Sequence, residues 1–341
     1  MRVDRSCLFV LVVAACGGGE VGNGGDGGGG GDGGAGSADG TPDTSPADAS
    51  GPVRLTHGDP ANTGPGENFP DPGLLLAGGR FYRFATNGGG GHVPVAGADD
   101  SAGPWDDLGD AMPSPPAWVI AHIWAPEVHR FGDRYYLYYA ATVANDGSAF
   151  GEHAIGVAES DTPDGPFTPV GEAPLHRDPE GRGVIDPDVV EIAGTAYLVY
   201  STDWGPGGRA SGTLRTLQAR TLTTPTTLAD DPVTLLEARA GGWEAGTVEA
   251  PALVPGPDGR LHLLYAGGNF ESAYATGYAL CPPTPGACER TSDEPWLAAS
   301  PPNPGGLDVA IAADGAPLGL HHAGPVSLRE PYVLPLAWTP E

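Results

Sequence analysis

One design recurs five times along the chain: a leading segment that begins at Pro or Gly, followed by two apolar or aromatic runs around a Gly-containing turn. Such turns between alternating or aromatic-rich runs are typical of β-hairpins. No run keeps a sustained period of 3.6 residues, so the sequence predicts almost no helix. The hairpins cover residues 74–86, 128–142, 189–202, 252–268 and 307–323.

The spacing of these hairpins is more informative than the hairpins themselves. The leading segments follow one another at intervals of 54, 61, 64 and roughly 55 residues. A period near 50 with several strands per repeat indicates a β-propeller, in which each repeat is one blade. The sequence therefore predicts an all-β, five-bladed β-propeller over residues 51–341. A β-sandwich is the rival fold, but it gives no reason for this period. The segments begin at Pro72, Pro126, Pro187, Pro251 and Gly305-Gly306.

Three of the leading segments carry an acid one or two residues before the proline. They read NFPDPG at 68–73, VIDPD at 184–188 and VEAPA at 248–252, and they supply Asp71, Asp186 and Glu249. The leading segment is the innermost strand of a blade, so these carboxylates should meet at one end of the central channel. Repulsion and partial burial should raise the pKa of at least one. A carboxylic acid beside a carboxylate is the arrangement that hydrolyses glycosidic bonds.

Plainer interpretations compete with this one. Asp-Pro is a common turn dipeptide, and acids are abundant in this chain. Asp188 follows Pro187 and competes with Asp186, which is preferred because it takes the same place before proline as Asp71. The phase of the three acids with the repeat favours a catalytic site over chance turns.

The same segments resemble glycoside hydrolases of family 43, from about Asn68 to Trp338. NFPDPGLL resembles the first-blade motif that carries the general base, and HIWAPEVH resembles the family's Trp-Ala-Pro-acid segment. VIDPD and VEAPALV resemble the motifs of the residue that tunes the acid and of the general acid itself. The resemblance implies that Asp71 is the base, Asp186 the pKa modulator and Glu249 the acid. The family more often has Gly where this chain has Ala250.

Sugar rings stack on flat aromatic faces, and their hydroxyls need hydrogen-bonding groups. Phe69 and Trp124, which lie near Asp71 and Glu127 in sequence, are the candidates for the wall of a sugar subsite. Glu127 is a candidate contact to sugar hydroxyls. Packing between blades, or a structural acid, is the alternative for each. The aromatic run at 135–139 is expected to belong to the core between blades.

No histidine pair has the spacing of a zinc site, and no nucleophile elbow, P-loop or dinucleotide fingerprint is present. The chemistry therefore needs no cofactor. The resemblance implies a structural calcium or sodium ion in some members, and His322 is the candidate to hold a bound cation or water.

The resemblance also implies hydrolysis with inversion on arabinose- or xylose-containing plant polysaccharides. Two rivals remain: a carbohydrate-binding propeller without catalysis, and a retaining fructan-type hydrolase of related fold. The formal charge of −27 repels phosphate backbones, which excludes nucleic acid as a partner. The expected partner is a carbohydrate, and we expect a monomer.

The N-terminal residues predict export. Arg2 and Arg5 precede a short apolar run that ends at Cys16, and residues 13–16 resemble the lipobox of bacterial lipoproteins. Residues 1–16 are thus a signal peptide whose Cys16 carries the lipid, the only expected link to a membrane; an ordinary cleaved signal peptide is the alternative. Residues 17–50 are Gly-rich with six acids, as expected of a solvated linker. In an exported protein, Cys281 and Cys288 should form a small loop disulfide.

Overall fold

The computed structural model describes residues 51–88, 91–145, 151–204, 212–229, 231–298 and 301–341. These residues form strands and turns only, so the all-β expectation is confirmed, and none of them belongs to a helix that could cross a membrane. The predicted signal peptide and linker, residues 1–50, lie outside the described residues.

The strands form five antiparallel sheets, each of which is one blade. Two short strands precede the first blade: β1 (Val53–His57) and β2 (Ala61–Asn62). Blade 1 contains β3 (Gly73–Ala77), β4 (Arg80–Phe84), β5 (Pro94–Ala98) and β6 (Asp106–Asp110). Blade 2 contains β7 (Ala121–Phe131), β8 (Arg134–Ala144), β9 (Glu152–Ser160) and β10 (Thr168–Pro169).

The remaining blades follow the same plan. Blade 3 contains β11 (Val184–Ile192), β12 (Thr195–Thr202), β13 (Thr216–Thr224), β14 (Thr227–Leu228) and β15 (Val233–Glu237). Blade 4 contains β16 (Val248–Pro255), β17 (Leu261–Asn269), β18 (Ala273–Cys281) and β19 (Glu289–Arg290). Blade 5 contains β20 (Gly305–Ile311), β21 (Pro317–Ala323) and β22 (Glu330–Pro340).

The blades close into a ring. The inner strands β3, β7, β11, β16 and β20 each contact the inner strands of the two neighbouring blades. Five apolar clusters fill the spaces between adjacent blades. Tyr138 faces blade 3 and Tyr139 faces blade 1, and both are fully buried. The aromatic run at 135–139 therefore packs between blades, as predicted. Five clusters rather than one central core leave the axis of the ring open as a channel.

The ring is closed by a strand from the N-terminal side. β1 pairs with β22 over Val53↔Pro340 to His57↔Leu336 and becomes the outer strand of blade 5. Arg260 of blade 4 secures this junction, because its guanidinium donates to the carbonyl of Val53 at 2.7 Å and to Glu341 at 3.0 Å. Blade 5 is thus assembled from two segments that lie far apart in the sequence.

The five leading segments share a backbone feature that their sequences only suggest. In every blade, the residue directly before the proline of the leading segment, or before Leu307 in blade 5, has a left-handed φ between 43° and 59°. The strand register shifts at this position in blades 2 to 5, which marks a β-bulge. Proline fits there because a bulge leaves one N–H out of the ladder. The left-handed residues are Asp71, Ala125, Asp186, Ala250 and Gly306.

The predicted disulfide is confirmed. Cys281, the last residue of β18, is bonded to Cys288 just before β19. The bond closes a short loop at the outer edge of blade 4.

A second set of acids lies deeper in the channel, just after the bulges. Asp188 accepts the backbone N–H of Leu253 at 2.9 Å, and Asp308 accepts that of Leu74 at 2.6 Å, so each joins its inner strand to that of the next blade. The carboxyl groups of Glu127 and Asp308 are close enough to share a hydrogen bond, which requires a proton on one of the two. Burial, followed by the negative charge of Asp308, raises the pKa of Asp188 to about 8. Burial likewise raises the pKa of Glu127 and of Asp308.

This cluster should make the fold less stable at alkaline pH. Native Asp188 binds its proton more tightly than the unfolded chain does, whose Asp has an ordinary pKa of 3.8. Its contribution is therefore complete below pH 4 and is lost as the pH rises towards 8. Asp188→Asn keeps an acceptor for Leu253 and cannot ionise. At pH 9 its melting temperature should exceed that of the wild type by on the order of 5 °C, with little difference at pH 4.

Thermal unfolding followed by circular dichroism at both pH values measures this difference. Asp133→Asn makes the same change of charge on an exposed turn and serves as the control. Parallel pH profiles for D188N and the wild type would contradict the prediction.

Candidate active site

A pocket of about 260 Å³ opens at the bulge end of the channel, and all five blades contribute to it. Asp71, Asp186 and Glu249 lie in its wall, so the structure brings together the three acids chosen from the sequence. The side chain of Asp71 is 22% exposed and that of Glu249 is 9% exposed. The other lining residues are Pro70, Thr86, Trp124, Ile185, Asp203, Trp204, Arg215, Phe270, Tyr274, Val326 and Arg329.

Asp71 is held on three sides. The hydroxyl of Thr86 donates to its Oδ2 at 2.8 Å, and Nη1 of Arg329 lies 3.4 Å from its Oδ1. Its backbone N–H donates to Nδ1 of His322 at 3.0 Å. Thr86 also accepts the N–H of Ala125 at 3.0 Å, which ties the site to the bulge of blade 2. These contacts fix the carboxyl group of Asp71 and leave it accessible to solvent.

Asp186 is half-buried in the pocket wall, and its Oδ2 accepts the N–H of Ala250 at 2.9 Å. Ala250 has a left-handed φ of 46°, and it follows Glu249 directly. Asp186 therefore holds the backbone turn from which Glu249 projects. Burial is the main cause that raises the pKa of Asp186 to about 7, with a further contribution from the negative charge of Asp71. The positive charge of Arg215 and the bond from Ala250 act in the opposite direction.

Both carboxylate oxygens of Glu249 accept hydrogen bonds. The hydroxyl of Tyr274 donates to Oε1 at 2.7 Å, and Nη1 of Arg215 donates to Oε2. Burial raises the pKa of Tyr274 well above its ordinary value, so its hydroxyl keeps the proton that it donates. Glu249 lies one residue earlier relative to its proline than Asp71 and Asp186 do, so it precedes the left-handed residue instead of occupying it.

The charges of the pocket favour a neutral ligand. Four carboxyl groups face two guanidinium groups there, and Asp203 is the fourth acid. Trp124, Trp204 and Phe270 add flat apolar faces. Acceptors for hydroxyl groups next to aromatic rings suit a polyhydroxylated ring such as a sugar.

The other predicted site residues do not all lie in the pocket. Trp124 lines the pocket and stacks on His153, with ring centroids 4.2 Å apart. Phe69 does not line it. That ring is 3% exposed and lies 4.5 Å below the guanidinium of Arg83, in a cleft on the side of blade 1. The bulge at Asp71 turns the chain, so neighbours in sequence face different surfaces.

Glu127 and Asp188 also lie outside this pocket. Both belong to the deeper acid cluster, which adjoins Asp71 and Asp186 in a small cavity at the level of the bulges. Glu127 therefore serves a contact between blades and does not reach the surface where a sugar would bind. His322 lies behind Asp71, where it is 1% exposed.

The family model for glycosyl hydrolases family 43 matches residues 65–307, which include all three acids. The chain belongs to this family. Probable arabinan endo-1,5-alpha-L-arabinosidase C of Aspergillus fumigatus is 36% identical over 141 residues, or 39% of this chain and 42% of that protein. Probable arabinan endo-1,5-alpha-L-arabinosidase A of Aspergillus flavus is 33% identical over 174 residues, or 49% and 51%. The matches thus span about half of these relatives or less.

Solved structures support the fold. The endo-arabinase of Bacteroides thetaiotaomicron superposes with a TM-score of 0.65 at 20% identity and covers 82% of this chain and 97% of its own. At that identity the likeness concerns the propeller alone. It agrees with the five blades described above.

Four residues of this family 43 site were not found from the sequence: Thr86, Arg215, Tyr274 and Arg329. They contact the acids directly, yet they lie on second and third strands or in loops, out of phase with the leading segments. Periodicity identifies inner-strand residues only. The scarcity of basic residues is the one signal that draws attention to the arginines, since the chain has 16 in total.

The role of Asp186 as a backbone acceptor predicts how its variants behave. Asp186→Asn retains an oxygen for the N–H of Ala250 and removes a half-buried charge, whereas Asp186→Ala leaves that N–H unpaired. At pH 8, D186A should be less stable than D186N by about 1–3 kcal/mol, and D186N at least as stable as the wild type. Urea unfolding measures both differences. A D186A variant as stable as D186N would contradict the assignment.

Proposed function

We propose that the protein is an inverting glycoside hydrolase in which Glu249 is the general acid and Asp71 the general base. The observation that supports this most strongly is the meeting of two carboxyl groups from blades 1 and 4 in one sugar-sized pocket, in contrasting surroundings. Asp71 reaches solvent, where it can activate water, while Glu249 is buried beside Asp186, which holds its backbone.

In this mechanism Glu249 gives its proton to the glycosidic oxygen as the bond to the anomeric carbon breaks. Asp71 takes a proton from the water that attacks the opposite face of the ring. The new bond joins the water oxygen to the anomeric carbon, so the configuration inverts. One water is consumed, and both carboxyl groups return to their starting forms by proton exchange with solvent. Asp186 stays out of the proton transfers and orients Glu249.

The substrate class proposed is an arabinose- or xylose-containing polysaccharide or oligosaccharide, with α-1,5-linked arabinan the first to test. The names of the two Aspergillus relatives support arabinan. The acidic pocket disfavours uronic acids, and the flat faces of Trp124, Trp204 and Phe270 suit furanose or pyranose rings.

Glu249→Ala tests the general acid. Activity on arabino-oligosaccharides should fall by about 10²–10⁴-fold, because their leaving group needs a proton. Activity on an aryl arabinofuranoside with a good leaving group should fall far less. The initial rates of both substrates measure the contrast, with circular dichroism as the check on folding. Full activity of E249A on the oligosaccharide would refute the role.

The stereochemistry separates this proposal from its two rivals. Proton NMR of the first product should show the inverted anomer, and a retained anomer would indicate a fructan-type double displacement. A carbohydrate-binding propeller without catalysis would bind oligosaccharide without turnover, and its affinity would be unchanged by Asp71→Asn.

The residues of the channel do not form a protein cage for calcium. Among the described residues, no group of three or more His, Cys, Asp or Glu is arranged to hold a metal ion. Nδ1 of His322 accepts the N–H of Asp71, so the neutral ring carries its proton on Nε2, which is buried without a hydrogen-bond partner. Burial lowers the pKa of His322 to about 3, which keeps the ring neutral. An N–H group donates to water or another acceptor and does not ligate a cation. No step of the proposed reaction runs through a metal.

We also propose that the protein is exported as a monomer and anchored by a lipid on Cys16. The motif at residues 13–16 and the disulfide Cys281–Cys288 support export. Expression in a bacterial host with labelled palmitate should give a labelled, membrane-associated protein. Cys16→Ser should lose the label and enter the soluble fraction, while Cys7→Ser should keep it. Equal labelling of wild type and C16S would refute the anchor.

A further inference from the structure

Arg215 is the most deeply buried cation of the site. It lies just before β13, it is 2% exposed, and four groups surround it. Its Nε donates to the carbonyl of Thr202 at 2.9 Å, and its guanidinium lies 4.6 Å from the ring of Trp204. Nη1 contacts Glu249, and Nη2 lies 3.5 Å from Oδ1 of Asp203. The guanidinium thus stands between two carboxylates.

The two carboxylates are not equally satisfied. Nη1 makes a hydrogen bond to Glu249, whereas Nη2 has no hydrogen-bond partner despite being buried. A buried donor without a partner is costly, and a small rotation towards Asp203 would provide one. Nε and the Trp204 ring hold the guanidinium plane, so they serve as the pivot of that movement.

The described arrangement suits an ionised Glu249. Both of its oxygens accept, and Arg215 has no acceptor towards which a carboxyl proton could point. A general acid, however, must carry a proton when it meets the glycosidic oxygen. Glu249 can take up that proton on the Arg215 side only after the guanidinium has moved away.

We propose that Arg215 is a positioning residue that is shared between Glu249 and Asp203, and that its transfer to Asp203 permits Glu249 to be protonated for catalysis. This inference rests on the proposed function. After Glu249 has given its proton to the leaving oxygen, it is a carboxylate, and Arg215 returns to it. Protonation from solvent and movement to Asp203 then prepare the next turnover.

Other charged and titratable groups face the same pocket and also influence the protonation of Glu249. Asp71 and Asp186 add negative charge, Arg329 adds positive charge, and Tyr274 stays a neutral donor. None of these four contacts Glu249 and Asp203 together, whereas Arg215 contacts both.

The pH dependence of kcat/KM on an arabino-oligosaccharide tests the proposal, because its alkaline limb reports loss of the acid's proton. Arg215→Gln removes the cation that favours ionised Glu249, so the limb should move up by about one to three pH units. Asp203→Asn leaves Arg215 with Glu249 as its only carboxylate partner, so the limb should move down. Arg215→Lys keeps the charge and should leave the limb nearer to that of the wild type than R215Q does.

Sharing requires that the downward shift of D203N depend on Arg215, so D203N should move the limb much less in the R215Q background. An equal shift in both backgrounds would reflect the charge of Asp203 alone and would overturn the inference. Arg130→Gln, which removes a cation from an exposed position, is the matched control and should leave the limb unchanged. The limb for an aryl arabinofuranoside with a good leaving group should respond less, because that substrate depends less on the acid. If R215Q fails to fold, D203N alone tests the inference: a downward shift of its alkaline limb supports it, and an unmoved limb overturns it.

The outcomes distinguish this inference from the proposed function. If the wild type is active and the alkaline limb of its pH profile is unchanged in R215Q and D203N, the inference is overturned and the proposed function is unaffected. A rise of KM alone, with an unmoved limb, would make Arg215 a sugar contact and would also overturn it. A wild type that hydrolyses none of the arabinose- or xylose-containing substrates would overturn both.

Discussion

The left-handed bulge at the start of each inner strand is the constraint on which the rest of this propeller depends. A regular strand would send successive side chains alternately to the two faces of its blade, towards the two neighbouring blades. A left-handed residue interrupts that alternation at the same level in all five blades, and in blades 2 to 5 it coincides with a shift of register. Side chains before it face the pocket, and those after it face the deeper channel. One backbone irregularity thus divides the axis into two chambers with different chemistry.

The two chambers use the same residue type for opposite purposes. Above the bulges, acids accept hydrogen bonds from hydroxyl, guanidinium and backbone donors and remain accessible to a ligand. Below them, acids share protons and accept N–H groups of neighbouring blades. Burial raises the pKa of all three carboxyl groups in the lower chamber, and that of Asp188 reaches about 8. The high acid content of the chain is therefore partly structural.

The architecture and the three acids were predictable from the sequence, because repeats and the Asp-Pro signature both follow from the inner strands. Phe69 and Glu127 were misjudged as pocket residues for one physical reason. Nearness in sequence to an acid implies nearness in space only where the strand is regular, and both residues lie close to a bulge. Arg215 and Tyr274 could not be predicted, since they reach Glu249 from strands whose order around the axis is set by packing. Family membership indicates the role of each acid, whereas its hydrogen-bond partners and its burial are visible only in the three-dimensional structure.

The way blade 5 closes has a consequence for how the molecule is made. β1 leaves the ribosome first among the strands, but its partner β22 is synthesised nearly three hundred residues later. Until β22 is synthesised, β1 has no sheet to join. Until β1 then pairs with β22, blade 5 exposes an open edge that could pair with other chains. Closing so long a loop is slow, because its entropy is lost before the contacts form. Ring closure is thus a late event in folding.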